Sequence, residues 1–343
     1  MKKEITFILP TRNRKKWVTR AIDSCLNCED DIIKSYIIVI DGESEDGTYD
    51  YLREVYRHNY RVQILRNNYN FMDACFYGVK LIKTELATFM YDDDILSMYF
   101  KQMITHMSDH GKNFVMGYGQ VSNIEKVYPF KTIDDFMHYP NSQFLLGYYG
   151  YRTLIEYTFL PVSPICCVVK TDLLKEWVEQ VKAFAEKTNM RKYFMLKKNI
   201  GPDLMIYLLS LLTNKDEVCV ASATVAQFSV HSTSMTVSYE KYMNTDLAIG
   251  YWLAKVWAFE HLLKIDKKKE SAQCASYLLL SGIIILLRKI RNGKLKWSLS
   301  IIKEIFSIKF KILKYMICIN VFTGAPSLIR ENIRRKERDT FPS

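Results

Sequence analysis

Three consecutive carboxylates, Asp92-Asp93-Asp94, follow the apolar run Leu86-Ala-Thr-Phe-Met-Tyr91 and precede Ile95-Leu96. Acids delivered by the tip of a buried strand can hold a hard divalent cation, the usual grip on a diphosphate. Side chains alternate along a strand, so Asp92 and Asp94 would face one way and Asp93 the other if the strand continued. A turn at this point lets two of the three converge. A second acidic tip, Ile40-Asp41-Gly42-Glu43-Ser44-Glu45-Asp46-Gly47-Thr48, has the form of a buried strand emptying into a turn. An acid there can accept hydrogen bonds from a base N–H or a ribose hydroxyl. The same run also suits a plain turn with Thr48 capping a helix. Asp203, in Gly201-Pro202-Asp203, opens a helix with Pro at a tolerated first-turn position. It can serve as a general base for an attacking hydroxyl, or simply be an acid favoured by the helix dipole.

The elements that must position these acids follow from periodicity. Ile5 to Leu9, Tyr36 to Ile40, Val62 to Leu65 and Leu86 to Tyr91 are short apolar runs, as buried strands are. Between them Trp17 to Leu26, Thr48 to Val55 and Phe71 to Lys83 recur at helical spacing. Strand and helix alternate four times in the first hundred residues, which predicts an α/β fold with a parallel sheet covered on both faces. Such sheets bind ligands at the carboxyl ends of their strands, and the polar residues after strands one, two and four all fall there. Residues 118–160 read as an irregular, aromatic loop and acceptor region in which Tyr148, Tyr149 and Tyr151 either stack on a ligand's rings or line a surface loop. Ala221 to Val230 is strand-like and ends at His231. The pair Cys166-Cys167 reads as core, and Ser163 as a residue near the acceptor.

In this order, Pro10-Thr-Arg-Asn-Arg14, Asp41-Gly-Glu-Ser-Glu-Asp-Gly-Thr48 and Tyr91-Asp-Asp-Asp94 resemble a family 2 glycosyltransferase. The likeness is strongest over residues 5–96 and continues through Ser163-Pro164, Gly201-Pro-Asp203 and His231-Ser-Thr-Ser234. It implies a GT-A fold, Rossmann-like with a mostly parallel sheet flanked by helices, over residues 1–245. It further implies a nucleotide-diphosphate-sugar donor, UDP-sugar favoured, and an inverting, metal-assisted single displacement of the hexosyl- or N-acetylhexosaminyl-transferase kind. By the same resemblance Pro10, Thr11 and Asn13 form the first nucleotide-contacting loop, and Asp41 contacts the base or ribose. Asp93 and Asp94 hold Mn²⁺ or Mg²⁺ as the DXD-type motif, and Asp92 or Asp94 contacts the donor. His231, followed by Ser234, lies near the diphosphate, and Asp203 is the catalytic base. Gly42 stands where many members carry a second Asp, and Tyr91 occupies the place of the motif's first acid in one alignment.

Composition bounds the remainder. The 343 residues are 49% hydrophobic and 25% charged, which is globular rather than disordered. The formal charge is +11, and 18 Lys and Arg against 6 Asp and Glu lie from Lys264 onward, so the front is near neutral and the tail strongly basic. Residues 246–343 read as a helical, basic extension, either at a membrane interface or packed on the catalytic domain with solvated lysines. Ile301, Ile305, Ile308, Ile312 and Met316 share one helical face and Lys303, Lys311 and Lys314 the other, while Lys309 breaks the pattern. The uncharged stretch Ser271 to Leu287 only reaches the lower limit of a bilayer span and holds three Ser and a Gln. Met1-Lys-Lys-Glu leads straight into a strand without a signal peptide, and the eight Cys read as small buried thiols. The only C-x-x-C, Cys25 to Cys28, has no second pair to complete a zinc site. The expectation is a cytoplasmic enzyme, peripheral at the inner face of the cell membrane. Its acceptor would be a glycan or lipid-linked oligosaccharide of a surface polysaccharide such as O-antigen or capsule. A nucleotidyltransferase is disfavoured because Pro10 to Arg14 contains no Gly to cradle phosphates. A nucleic-acid-binding protein would use the basic tail but leave three acidic strand tips unexplained. No G-x-G-x-x-G follows a strand, which disfavours a dehydrogenase.

Overall fold

The computed structural model describes residues 2–123, 135–150, 160–161, 163–214, 217–231, 245–265, 267–293 and 295–316. Strands β1 (Lys3–Thr11), β2 (Ile33–Asp41), β3 (Val62–Arg66) and β4 (Leu86–Phe89) pair in parallel in the order β3-β2-β1-β4. Helices α1 (Val18–Leu26), α2 (Thr48–Val55) and α3 (Phe71–Leu81) make the crossovers. β1 is apolar without alternation because both its faces are covered: Ile8 packs into one core cluster, Phe7 and Leu9 into the other. Thr11 pairs opposite Asp41 and Asp41 opposite Arg66, so β1, β2 and β3 finish level at one edge.

The sheet then turns mixed. β8 (Cys167–Lys170) runs antiparallel to β4, and β6 (Phe114–Asn123) antiparallel to β8. β9 (Glu217–Val230) lies parallel to β6, while β7 (Phe136–Pro140) and β5 (Ile95–Leu96) pair antiparallel with its first and second halves. The result is a nine-stranded sheet flanked by helices. Cys166 and Cys167 are both core, as the sequence predicts.

Two expectations need correction here. Residues 118–160 are not wholly irregular: they hold the end of β6, then β7, then α5 (Asn141–Gly150). α5 lacks one apolar stripe because it is buried on several sides, which hides it from periodicity. Tyr148 and Tyr149 are fully buried on it, donating to the carbonyls of Pro161 (2.5 Å) and Lys255 (2.9 Å), so neither is offered to a sugar. Tyr151 lies outside the described residues. Thr48 does not cap α2. Gly47 holds the N-cap position at φ 80, and Asp46 Oδ1 accepts from the Thr48 N–H at 3.0 Å.

The other helices are α4 (Phe100–Asp109), α6 (Thr171–Ala185), α7 (Asn189–Lys192), α8 (Pro202–Thr213), α9 (Thr245–Lys264), α10 (Lys268–Arg291) and α11 (Ser298–Met316). α9 belongs to the same apolar cluster as Ile8 and Phe89, through Trp252 and Phe259. Lys255, also on α9, is fully buried and donates to the Tyr149 carbonyl at 3.3 Å; burial holds its ammonium down to about 7. Within α10, Glu270–Arg291 has the length and apolarity of a membrane span, and 44% of its apolar window is buried in the protein. The isoleucine face of α11 is not turned outward: Ile301, Ile308 and Ile312 are buried in the main cluster. Its outward side carries Leu299, Phe306 and Phe310 between exposed Lys303 and Lys309.

An ion-pair network latches α11 to the body. Arg191 donates through Nε and Nη2 to the two carboxylate oxygens of Glu304, both at 2.7 Å, and through Nη2 to Glu260 at 2.9 Å. Lys187 and Lys311 also donate to Glu260, at 2.6 and 3.0 Å. Burial raises the Glu260 carboxyl, but these hydrogen bonds outweigh it and hold it at about 2. A carboxyl depressed in the folded state stabilises fully above its unfolded value of about 4.3 and loses that contribution as pH falls. Arg191→Met leaves the buried Glu304 carboxylate without its Arg191 partner, while Lys187 and Lys311 still hold Glu260, and is expected to cost about 3–5 kcal/mol in urea unfolding. Acid titration followed by circular dichroism should show helix loss between about pH 4.3 and the Glu260 value of about 2, and Glu260→Gln should flatten that transition.

Candidate active site

β4 ends at Phe89, and the acids lie on a turn in which Asp94 N–H donates to the Tyr91 carbonyl at 3.3 Å. The turn sends the three side chains to three different segments. Asp92 Oδ2 accepts from the Thr11 hydroxyl at 2.7 Å, and Asp92 Oδ1 lies 3.5 Å from Arg14 Nε. Asp93 Oδ2 lies 2.7 Å from His231 Nε2. Asp94 Oδ1 accepts from the Ser229 N–H at 2.9 Å. Burial, then the neighbouring Asp93, push the Asp92 carboxyl up to about 7, and the same causes raise Asp94 well above the usual carboxylate range. Confined like charges of this kind favour either a proton or a cation among them.

The first two strand tips are laced together beside this turn. Gly42 N–H donates to the Thr11 carbonyl at 2.8 Å. Asn13, at φ 56, accepts from Glu45 N–H through its side chain and donates its own N–H to Ser44 Oγ, both at 2.8 Å. Asn tolerates this left-handed backbone because its short amide finds local partners. Pro10 is buried in β1 opposite Ile40, so its part is to shape the tip. Asp41 is fully buried at the end of β2. Its Oδ1 accepts from Ser44 N–H at 2.9 Å and lies 3.9 Å from Arg66 Nε. Its Oδ2 has no hydrogen-bond partner among the described residues.

Asp203 stands in the first turn of α8. Its Oδ1 accepts from Leu204 N–H at 2.9 Å and its Oδ2 from the Tyr251 hydroxyl at 2.8 Å. Tyr251 belongs to α9, which reaches this place because two glycines meet. Gly201 has φ +113, and a Cβ on it would stand 2.6 Å from the Gly250 carbonyl oxygen. Burial raises the Asp203 carboxyl despite the bonds that favour its charged form. Burial and then the Asp203 carboxylate raise the Tyr91 hydroxyl, with Asp94 adding to the shift. Tyr91 thus lies within the field of both Asp203 and the acidic turn.

His231 and Asp93 also meet the start of α1. The Trp17 ring lies 4.6 Å from the His231 ring, and the Arg14 guanidinium sits 5.6 Å from the centre of Trp17. Arg20 Nη2 donates to the Asp93 carbonyl and to Ser229 Oγ, both at 3.0 Å. Ser234 lies outside the described residues. Sequence reasoning singled out none of Trp17, Arg20, Ser229 or Tyr251 for the site. Trp17 read as part of an apolar helix face, and Arg20 carries no local signal because its partners lie about 70 and 210 residues away.

The family model described as glycosyl transferase family 2 matches residues 6–190. Among curated proteins none matches. A crystal structure of residues 1–349 of S. aureus TarS superposes with a TM-score of 0.50, covering 92% of this chain and 92% of that chain at 14% identity. The same protein in complex with UDP-GlcNAc gives 0.49 with the same coverage and identity. At such identity the likeness bears on the fold, a GT-A-like α/β sheet flanked by helices. With more than half of its length matched by the family model, the chain belongs to glycosyl transferase family 2, and it is a glycosyltransferase.

Proposed function

We propose that this enzyme moves a hexosyl or N-acetylhexosaminyl group from a nucleotide-diphosphate sugar to a hydroxyl of a glycan acceptor, by inverting single displacement. A UDP-sugar is the favoured donor. The observation that carries the reading is the buried, unpartnered Asp41 Oδ2 at a level strand edge beside the acidic turn. A buried carboxylate oxygen without a donor is costly, and a base N–H or ribose hydroxyl relieves it. Thr11 and Asn13 hold the neighbouring loop in shape, and Asp92 is fixed to Thr11. Residues 1–245 supply the donor side, and the extension from 246 lends Tyr251 to the acceptor side.

The donor set of the turn suits a hard cation. Its oxygens are carboxylates in a buried cluster whose mutual repulsion a divalent ion would offset. Among the described residues these acids do not gather three ligand atoms into a closed cage, so a metal here would share substrate oxygens. Asp93 and Asp94 are the residues that would hold Mn²⁺ or Mg²⁺, which when bound stabilises the negative charge of the leaving diphosphate. His231 and Arg20 orient Asp93 through its side chain and its carbonyl. Asp203 accepts the proton of the attacking hydroxyl, and the Tyr251 hydroxyl holds that carboxylate in place. A single base acting on the attacking hydroxyl corresponds to direct displacement.

The acceptor side is read as lipid-linked, at the inner face of the cell membrane, in surface polysaccharide assembly. Supporting this, Leu280, Ile283, Leu287 and Ile290 are exposed along one side of α10, and Leu299, Phe306 and Phe310 along α11. Exposed apolar side chains interspersed with Lys303 and Lys309 match an anionic lipid interface in both respects.

Four outcomes are expected. In a thermal-shift screen of nucleotide sugars with Mn²⁺, Asp41→Ala should weaken donor binding about ten- to hundredfold, the value of one hydrogen bond to a charged group; unchanged affinity would sink the donor assignment. Asp203→Asn should abolish transfer while donor binding persists. Tyr251→Phe removes a bond that favours the Asp203 carboxylate, so it should move the acidic limb of the pH–rate profile to higher pH. The double variant Phe306→Ser/Phe310→Ser should lose binding to anionic liposomes with an unchanged melting temperature, whereas Ile308→Ser should lower stability; retained liposome binding in the first would refute the membrane face.

A further inference from the structure

A second group of ligating side chains lies away from the acidic turn. His138 on β7 pairs directly opposite Cys219 on β9, so their side chains emerge side by side on one face of the sheet. His106, in the last turn of α4, reaches the same place. One ring nitrogen from each His and the Cys219 Sγ all lie within 4.8 Å of one another. Among the described residues this is the only trio of His, Cys, Asp or Glu gathered so closely.

Several features set these side chains as a site rather than a chance cluster. The His106 ring is stacked on Phe136 at 3.9 Å between centroids and on His110 at 4.1 Å, which fixes its plane. Its Nε2 is buried with no hydrogen-bond partner among the described residues. An unsatisfied buried imidazole nitrogen is costly unless something binds it. Cys219 is fully buried from solvent while His138 is exposed, so the trio has an inner and an outer ligand. His138 Nδ1 stands 3.7 Å from Glu217 Oε2, so a carboxylate lies beside the outer imidazole. Lys112 lies near Cys219, and Asp109 and Asp135 are the acids near the trio that offset it.

We propose that His106, His138 and Cys219 form a Zn²⁺ site that staples the edge strand β7 to α4 and β9. Two imidazoles and a thiolate are the donor set of zinc and not of the hard cations suited to the acidic turn. Zn–N bonds of about 2.0–2.1 Å and a Zn–S bond of about 2.3 Å need only a modest closing of the trio, and the exposed His138 is free to make it. As the Zn–S bond forms, the Cys219 thiol releases its proton to solvent, and water completes the tetrahedron. The site is distinct from the donor site. Cys219 pairs opposite Val115 at the start of β6, and Ser229, which holds Asp94, lies ten residues further along β9. At about 3.3 Å per residue that places the two sites roughly 30 Å apart.

The test uses the full chain without a histidine tag, stripped by chelator and titrated with Co²⁺, whose thiolate complex absorbs in the near ultraviolet. The parent should show that charge-transfer band at one equivalent, lose it to Zn²⁺, and melt at higher temperature with Zn²⁺ than without. Cys219→Ser should abolish the band. His138→Asn, on an exposed edge, should melt like the parent without metal and bind Co²⁺ at least tenfold more weakly. Asp93→Asn should keep the band. No band in the parent, a band that survives Cys219→Ser, or a band lost in Asp93→Asn would overturn the proposal.

Discussion

Three adjacent carboxylates repel one another, and the surrounding fold is what keeps them on one turn. Each is tied to a different part of the chain: Asp92 to Thr11 at the end of β1, Asp93 to His231 beyond β9, Asp94 to Ser229 within β9. The guanidinium of Arg20 joins the second and third of these ties from α1. The mixed half of the sheet follows from this requirement. β9 must pass the turn so that its last residues can meet Asp93 and Asp94, and β5 pairs with it immediately after the acids. The parallel half supplies level tips, and the mixed half supplies the counterparts that hold the charges still.

A backbone contact performs the corresponding task on the other side. Gly201 and Gly250 touch where any Cβ would collide, and this lets the start of α8 lie against α9. Tyr251 then reaches Asp203. A helix that the change in sequence pattern assigns to a separate extension therefore completes the candidate site. The same helix carries Glu260, which the latch to α7 and α11 uses. One element thus contacts both Asp203, through Tyr251, and the latch, through Glu260.

What was legible in the sequence and what was not divide along physical lines. β1 to β4 read directly, since strands buried on both faces are continuous apolar runs bounded by polar turns. The acids at Asp41, Asp92 to Asp94 and Asp203 stand out as candidates because each lies at the end of a strand or the start of a helix. Residues whose roles depend on distant partners did not read: Arg20, Ser229 and Tyr251 acquire their places only once β9 and α9 return. α5 escaped because burial on several sides removes the periodic stripe. Gly47 rather than Thr48 holds the N-cap of α2, and Asp46 accepts from the Thr48 N–H, a local exchange that composition alone does not resolve.

α11 shows how far amphipathicity reaches as an argument. A regular isoleucine stripe says that one face is covered, not by what. In this chain the cover is the protein: Ile301, Ile308 and Ile312 are buried, and Arg191 beneath them pairs with Glu304 on the same helix. A helix bound in this way cannot also offer that stripe to lipid without exposing a buried ion pair. Any surface that engages a membrane has to be the opposite side, where Phe306 and Phe310 stand out between Lys303 and Lys309. Lys311, turned inward to Glu260, belongs to the latch and is withdrawn from the outward charge. Lysine position therefore separates the two sides of this helix better than its apolar residues do: those that pair with buried acids mark the inner side, and those left in solvent mark the outer.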